Sequence, residues 1–458
     1  MQVKEAKIVT SSGGEGLTVG VIGSGIAGAF AAHFARQALG ERAHLVVWER
    51  DSHVGGRVRA LQVVGERVEA GASLIHSSNR YLSAAVDELQ LHRSSPSEPG
   101  DGSGRAYGCW NGTSFDFISP SSAGEEAAFL MRRYGESLLK VQELVKSALD
   151  RLVRIYDVQA RGEAFETPRE LHMRLGLYDM AQQDGYSFFR DHGVSDQFVL
   201  EMSDGIARGN YSQAGQMNAW ATMVSLIGGG FAGGSLFSIV EGNARLPEGL
   251  LSRSGARVFT GTAVNRVAAR TTADGSPGYT VTTAGGERCE CDAVVIAAPL
   301  EMAGVGFEGV ALAPESGVRR PYQTVHVTFV SGRANPAYFG LQPGQPVPGL
   351  ILTRELPEIP LVGMGARRGA DGQETIYKLF SREALDDALL DAMFTRRAET
   401  VRLVWQAYPV LNPAPVWPPF RLAPGLYYVN AMESAVSTME TEAIAARNVV
   451  NLLLREIQ

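Results

Sequence analysis

Between an apolar run, Leu17 to Ile22, and a helical stretch, Ile26 to Leu39, stands the turn Gly23-Ser24-Gly25-Ile26-Ala27-Gly28. The run reads as a buried parallel strand, and a second one, His44 to Trp48, ends at Glu49. Each glycine has a separate task. Gly23 permits the tight turn, Gly25 lets backbone approach a pyrophosphate, and Gly28 lets the helix pack closely on the strand. Ile26 and Ala27 open the helix, whose free N–H groups and positive dipole end favour phosphate. Glu49 follows Gly28 by about 20 residues, where an acid accepts hydrogen bonds from ribose hydroxyls. The strand, turn, helix and acid together predict a nucleotide-binding βαβ unit. A ligand-free structural turn is the bland alternative.

Which nucleotide follows from the next residues. Glu49-Arg50 leads at once into His53-Val54-Gly55-Gly56-Arg57-Val58. A glycine pair and an arginine here resemble the second fingerprint of the FAD-dependent glutathione-reductase-type oxidases. In those proteins Gly55 and Gly56 would let the chain run beside the diphosphate, and Arg57 would bring positive charge to it. The cofactor expected is FAD. The fold expected is α/β: a glutathione-reductase-type FAD-binding Rossmann domain carrying an inserted mixed β-sheet and a helical substrate domain.

Composition excludes several other classes. The chain has 458 residues, enough for two or three cores, and is 45% hydrophobic, which rules out a disordered protein. Its net charge is −7 with no basic stripe, so nucleic acid is not an expected partner. Cys109, Cys289 and Cys291 cannot form a closed disulfide framework, and Cys289 and Cys291 share one face of a strand as packed apolar residues. No metal cluster and no Ser/His/Asp triad is present in the pattern. Met1 to Gly16 is polar and unlike a secretory signal, and no run reaches the ~20 apolar residues of a membrane span. These features predict a cytoplasmic protein without a transmembrane segment.

Along the chain, helix periodicity dominates from Ala123 to about Tyr211, with Leu138, Val141, Leu144 and Val145 on one face. Strands are expected at Arg257–Phe259, Ala263–Ala269, Tyr279–Thr283 and Ala293–Ala297, with Asp274-Gly275 and Gly285-Gly286 as turns. A second β-rich stretch covers Thr324–Val330 and Gly349–Val362, followed by a helix at Arg382–Arg397. Asn412–Pro419 is a proline-rich connector, and the chain closes with a strand, Leu426–Val429, and a helix from about Thr438 to Arg455. The FAD-binding domain is expected to be discontinuous, at residues 17–120, 237–300 and 421–458. A helical insert at 121–236 and a sheet-and-helix part at 301–420 would form the substrate domain.

A narrower resemblance runs through the whole chain. Glu69-Ala70-Gly71-Ala72-Ser73-Leu74-Ile75-His76, Tyr322 to Gly332, and Tyr428 to Glu440 are similar to the prenylcysteine oxidase family, whose plant form is farnesylcysteine lyase. Trp110-Asn111-Gly112, Arg154-Ile155-Tyr156 and Arg208-Gly209-Asn210-Tyr211 fit the same family. Ser77 departs from it, standing where a proline is expected.

The resemblance implies that backbone near Val264 pairs with the adenine. Glu433 would lie by the ribityl and pyrophosphate, and Thr438 and Met439 would open a helix towards the flavin. It also implies oxidation of farnesyl- or geranylgeranyl-cysteine to prenyl aldehyde, cysteine and hydrogen peroxide. A hydride passes from C1 to flavin N5, and molecular oxygen is the final acceptor. His76 is the candidate catalytic residue. Arg208, Asn210, Tyr211 and Trp220 are candidates for substrate binding, with Arg208 and Asn210 at the cysteine end. Met131, Tyr134, Phe188, Phe189, Met202, Met217 and Met223 are candidates for a prenyl tunnel, though such residues are more often core. By resemblance the compartment becomes a lysosome or vacuole, with weak membrane-surface association compatible with the greasy substrate. Two other functions suit the same sequence: a flavin amine oxidase, and an FAD-binding relative without catalysis.

Overall fold

The computed structural model describes residues 8–9, 16–94, 106–272, 275–369 and 374–457. Most of the polar segment 1–16, and Asp274 of the expected Asp274-Gly275 turn, lie outside them.

The strand Leu17–Ile22 and the helix Ile26–Leu39 form where the pattern placed them. The strand is buried from Thr18 to Ile22, because a parallel strand covered on both faces has no wet side. It occupies the middle of a six-stranded sheet with spatial order 257–259, 43–48, 17–22, 293–296, 426–428, 421–423. All neighbours are parallel except the last pair, where Arg421–Ala423 runs antiparallel to Leu426–Tyr428. This sheet is therefore assembled from three distant parts of the chain. The closing helix, Met439–Glu456, packs against Ile26–Leu39 and buries apolar residues along its length.

A second, five-stranded sheet holds 264–271, 277–283 and 288–291 as an antiparallel meander, with 8–9 and 306–308 at its edges. Cys289 and Cys291 are both buried and free, with Sγ atoms 4.0 Å apart.

The third sheet has seven strands, in the order 394–409, 322–334, 375–381, 363–368, 350–353, 107–110, 115–118. It is mixed: Leu350–Thr353 runs parallel to Tyr107–Trp110, and the other pairs are antiparallel. Helices follow one another from Ala123 to Tyr211, with a further one at Ala219–Gly228, and the helix Asp204–Tyr211 packs on the strands Leu350–Thr353 and Gly363–Arg368 of this sheet.

One expectation fails here. The helix predicted for Arg382–Arg397 is only Asp387–Met393, capped by the Asp386 carboxylate, which accepts from Leu389 N at 2.8 Å. From Phe394 the chain is extended and continues as a 16-residue strand to Pro409, paired throughout with Tyr322–Ala334. Its alternating Val401, Leu403, Trp405 and Ala407 pack on Val325, Val327 and Phe329. Burial at period two overrides the helical propensity of the preceding stretch.

Among the described residues no helix is long and apolar enough to cross a membrane, and no group of His, Cys, Asp and Glu could hold a metal.

Candidate active site

Two cavities meet at the C-terminal ends of the six-stranded sheet. The first, of about 390 Å³, is floored by the Gly23–Ala27 turn. Gly23 has φ +107°, and a Cβ on Gly28 would stand 2.0 Å from the Gly23 carbonyl oxygen, so both must be glycine for helix and strand to close. Gly25 differs. Its backbone is extended with φ −66°, and an added Cβ would find no protein atom nearer than 3.8 Å. The space above Gly25 is therefore left open by the protein, at the end of a helix whose first N–H groups face it.

The second fingerprint runs beside the first. Gly25 and Gly55 form a parallel bridge, and Gly55 N donates to Ser24 O at 3.1 Å. Gly55, Gly56, Arg57, Arg50 and Val264 all line this cavity with Glu49. The Glu49 carboxylate is buried and accepts from Ser24 N (3.0 Å), Ser24 Oγ (2.7 Å) and Asp51 N (3.0 Å). That fixes it at the strand end. The Arg50 side chain is largely exposed, with Nη1 donating to Met302 O at 3.0 Å. Near Val264 the ladder to Pro277–Thr283 is broken by a bulge between Val264 and Arg266.

The second cavity, about 430 Å³, shares Ile26, Arg57, Val58, Trp405 and Glu442 with the first. Residues Ser437 to Glu442 form one of its walls. There the Thr438 hydroxyl caps the closing helix by accepting from Thr441 N at 3.0 Å, and Thr441 Oγ1 accepts from Thr438 N at 2.9 Å. This reciprocal box points the positive end of an 18-residue helix into the cavity.

Glu433 is fully buried beside it. Its carboxylate accepts from Arg57 Nη2, from Tyr322 OH at 2.5 Å and from Ser437 Oγ at 2.9 Å. Burial alone would lower the Arg57 pKa, but the Glu433 charge outweighs it and holds the guanidinium above its ordinary value. Two further acids follow. Glu440 accepts from Tyr81 N, Leu82 N and Tyr156 OH, yet burial pushes it up to about 7. Glu442 is raised by burial and then by the neighbouring Glu433; its Oε2 accepts from Asn430 Nδ2 at 3.1 Å, and its Oε1 has no partner.

The substrate-side candidates divide. Asn210 and Tyr211 line the second cavity; Arg208 and Trp220 line neither. Arg208 is 2% exposed, paired with Glu355, and donates to Thr353 Oγ1 at 3.0 Å and Leu361 O at 2.9 Å. It ties the helix Asp204–Tyr211 to the seven-stranded sheet through these contacts, away from either cavity. Trp220 is wholly buried in the helix Ala219–Gly228. None of Met131, Tyr134, Phe188, Phe189, Met202, Met217 or Met223 reaches the cavity either. Its apolar wall is Leu82, Leu149, Leu152, Val224, Ile227 and Leu236.

His76 lines the cavity, but both ring nitrogens are engaged. Ser78 N donates to Nδ1 at 3.1 Å, so the proton sits on Nε2, which donates to Gly233 O at 2.8 Å. These contacts tie the ring to the glycine-rich loop at Gly233. Trp405 and Lys378, both lining the second cavity, carried no motif in the sequence. A lone lysine at an inward position of an alternating strand was the available signal.

The cavities fit a flavin dinucleotide. The open space over Gly25 and the capped helix end border these cavities, and Glu442, whose buried Oε1 has no hydrogen-bond partner among the described residues, lines both.

Comparison with known proteins agrees with this architecture. The profile of the NAD(P)-binding Rossmann-like domain matches residues 21–89. Solved structures of a putrescine oxidase bound to putrescine (TM-score 0.62, 14% identity, 97% of this chain and 100% of that one) and of cyclohexylamine oxidase from Brevibacterium oxydans IH-35A (TM-score 0.66, 14% identity, 96% and 99%) share the fold. Farnesylcysteine lyase of Arabidopsis thaliana is 32% identical over 95% of this chain and 88% of its own length. Prenylcysteine oxidase 1-like of Bos taurus is 32% identical over 95% and 89%. The prenylcysteine lyase profile matches residues 125–458, and the chain belongs to the prenylcysteine lyase family.

Proposed function

We propose that the chain is an FAD-dependent oxidase that cleaves the thioether of a free prenylcysteine to a prenyl aldehyde and cysteine, with molecular oxygen reduced to hydrogen peroxide. The observation that carries this reading is the wall shared by the two cavities. An apolar chamber opens directly onto the nucleotide cradle at Ile26, Arg57, Val58, Trp405 and Glu442. A substrate with a long apolar part would bury that part in such a chamber.

FAD, held by Gly25, Glu49, Gly55, Gly56, Arg57 and Glu433, would supply the two-electron acceptor for a hydride leaving the carbon next to sulfur. The residues do the rest. The helix end at Thr438 and Met439 places positive potential where negative charge builds up. Leu149, Leu152, Val224 and Ile227 exclude water from the tail and hold C1 in place. Loss of hydride leaves a carbon stabilised by sulfur and by the double bond. Water adds there, and the resulting hemithioacetal collapses to aldehyde and thiol. Substrate, oxygen and water thus balance aldehyde, cysteine and peroxide.

The test is anaerobic mixing of the holoprotein with farnesylcysteine, its saturated S-alkyl analogue and a panel of amines, following loss of the flavin's visible absorbance. Farnesylcysteine should bleach the flavin fast, the saturated thioether slowly and the amines not at all. Fast bleaching by an amine alone would make the protein an amine oxidase. No bleaching by any of them, with FAD tightly bound, would make it a non-catalytic relative.

A further inference from the structure

We propose that Lys378 is the anchor for the carboxylate of the substrate's amino-acid head. This rests on the thioether-oxidase reading above.

An amino-acid head inside a largely apolar chamber needs a cation with donors to spare, because a carboxylate left unpaired there is costly to bury. Three cationic or potentially cationic side chains line the second cavity: Arg57, His76 and Lys378. Arg57 is neutralised by Glu433, and its Nη1 donates to Ala407 O at 2.9 Å. Both ring nitrogens of His76 are engaged, by Ser78 and by Gly233 O. Arg208, the cation singled out by sequence, is bound to Glu355 outside the cavity.

Lys378 is different. It stands in the strand Thr375–Ser381, and Nζ donates to Ser73 Oγ at 3.0 Å. That uses one of its three donors. Nζ also lies 4.8 Å from the Phe380 ring centroid and 6.0 Å from that of Phe329. Among the described residues no carboxylate forms an ion pair with it. Burial pushes it down to about 8, opposed by the charge of Glu69. Ser73, the two rings and the Glu69 charge stabilise this half-buried ammonium, yet two of its donors stay unused beside a cavity. A ligand carboxylate supplies what is missing.

The placement also fixes polarity. Lys378 and Ser73 belong to the sheet side of the chamber, whereas Leu149, Leu152, Val224 and Ile227 come from helices. The head would lie on the sheet and the tail among the helices, with the sulfur-bearing carbon between them.

The experiment uses two ligands, farnesylcysteine and S-farnesylcysteamine, which share tail, thioether and amine and differ only in the carboxylate. The substrate dependence of anaerobic flavin reduction gives Kd separately from the limiting rate. Wild type should bind farnesylcysteine about 10- to 100-fold more tightly than the cysteamine. Lys378→Met should remove that difference, leave the cysteamine's Kd within about twofold and retain FAD, whereas Lys378→Arg should restore most of it. Equal affinity of wild type for the two ligands overturns the proposal whatever the variants do. So does a Lys378→Met change that weakens both ligands alike, or neither. If farnesylcysteine neither binds nor reduces the wild-type flavin, the thioether-oxidase reading itself has failed and this inference falls with it.

Discussion

Arg57 and Glu433 are 376 residues apart in sequence and form an ion pair at the junction of the two cavities. The arginine comes from the loop after the second strand and the glutamate from the turn before the last helix, so the pair fastens the two ends of the cofactor site together. Glu433 is fully buried and also takes hydrogen bonds from Tyr322 and Ser437. Removing its charge strands a guanidinium. Glu433→Gln should cost about 3 kcal/mol of stability and weaken FAD retention. The double change Arg57→Met with Glu433→Leu should be less destabilising than Glu433→Gln alone. Thermal melts and flavin content measure both, and an unchanged melt in the single variant would contradict the pairing argument.

The two glycines of the first turn should fail in different ways. A side chain at Gly28 meets the Gly23 carbonyl at 2.0 Å, so Gly28→Val should give insoluble or unfolded protein. Gly25→Val meets no protein atom within 3.8 Å and should yield a folded, colourless protein, since only the cofactor's space is filled. Circular dichroism and absorbance spectra separate the outcomes. A yellow Gly25→Val protein would place the pyrophosphate elsewhere.

Val224 lines the apolar chamber from the helix Ala219–Gly228. Each CH₂ buried contributes about 0.8 kcal/mol, so blocking the far end of the chamber should penalise long tails selectively. For Val224→Trp, kcat/KM for farnesylcysteine should drop by about tenfold or more, with S-dimethylallylcysteine little changed. Equal loss on both substrates would mean that the tail lies elsewhere.

Stability should depend on pH through Glu440. Its folded pKa of about 7 lies above the ordinary 4.5, so its contribution is fully present below 4.5 and is lost as pH rises through 7. The effect is at most about 3 kcal/mol, with burial outweighing the three donors that favour the carboxylate. Glu440→Gln should therefore gain in Tm relative to wild type between pH 5 and pH 8. A difference between the two proteins that stays constant across this range would falsify the assignment.

The sequence by itself determined the nucleotide cradle and its place in the fold. Gly23, Gly25, Gly28 and Glu49 act through backbone conformation and local spacing, and Leu17–Ile22 and Ile26–Leu39 carry strong single periodicities, so neighbouring residues suffice to specify them. The start of the last helix near Thr438 was legible from periodicity as well. Only the tertiary structure decided which cations line the second cavity. Arg208 looked available because a one-dimensional pattern does not show that Glu355, Thr353 and Leu361 arrive from another strand and turn to hold the guanidinium away from both cavities. Lys378 carries no sequence motif, and its setting is made by Ser73, Phe380 and Phe329, which meet around it only in the folded chain. The strand Phe394–Pro409 belongs to the same class, since its conformation is fixed by pairing with Tyr322–Ala334 and not by its own residues. Local backbone preference writes itself into short stretches of sequence, whereas the partner of a buried charge is set by chain segments that meet only on folding.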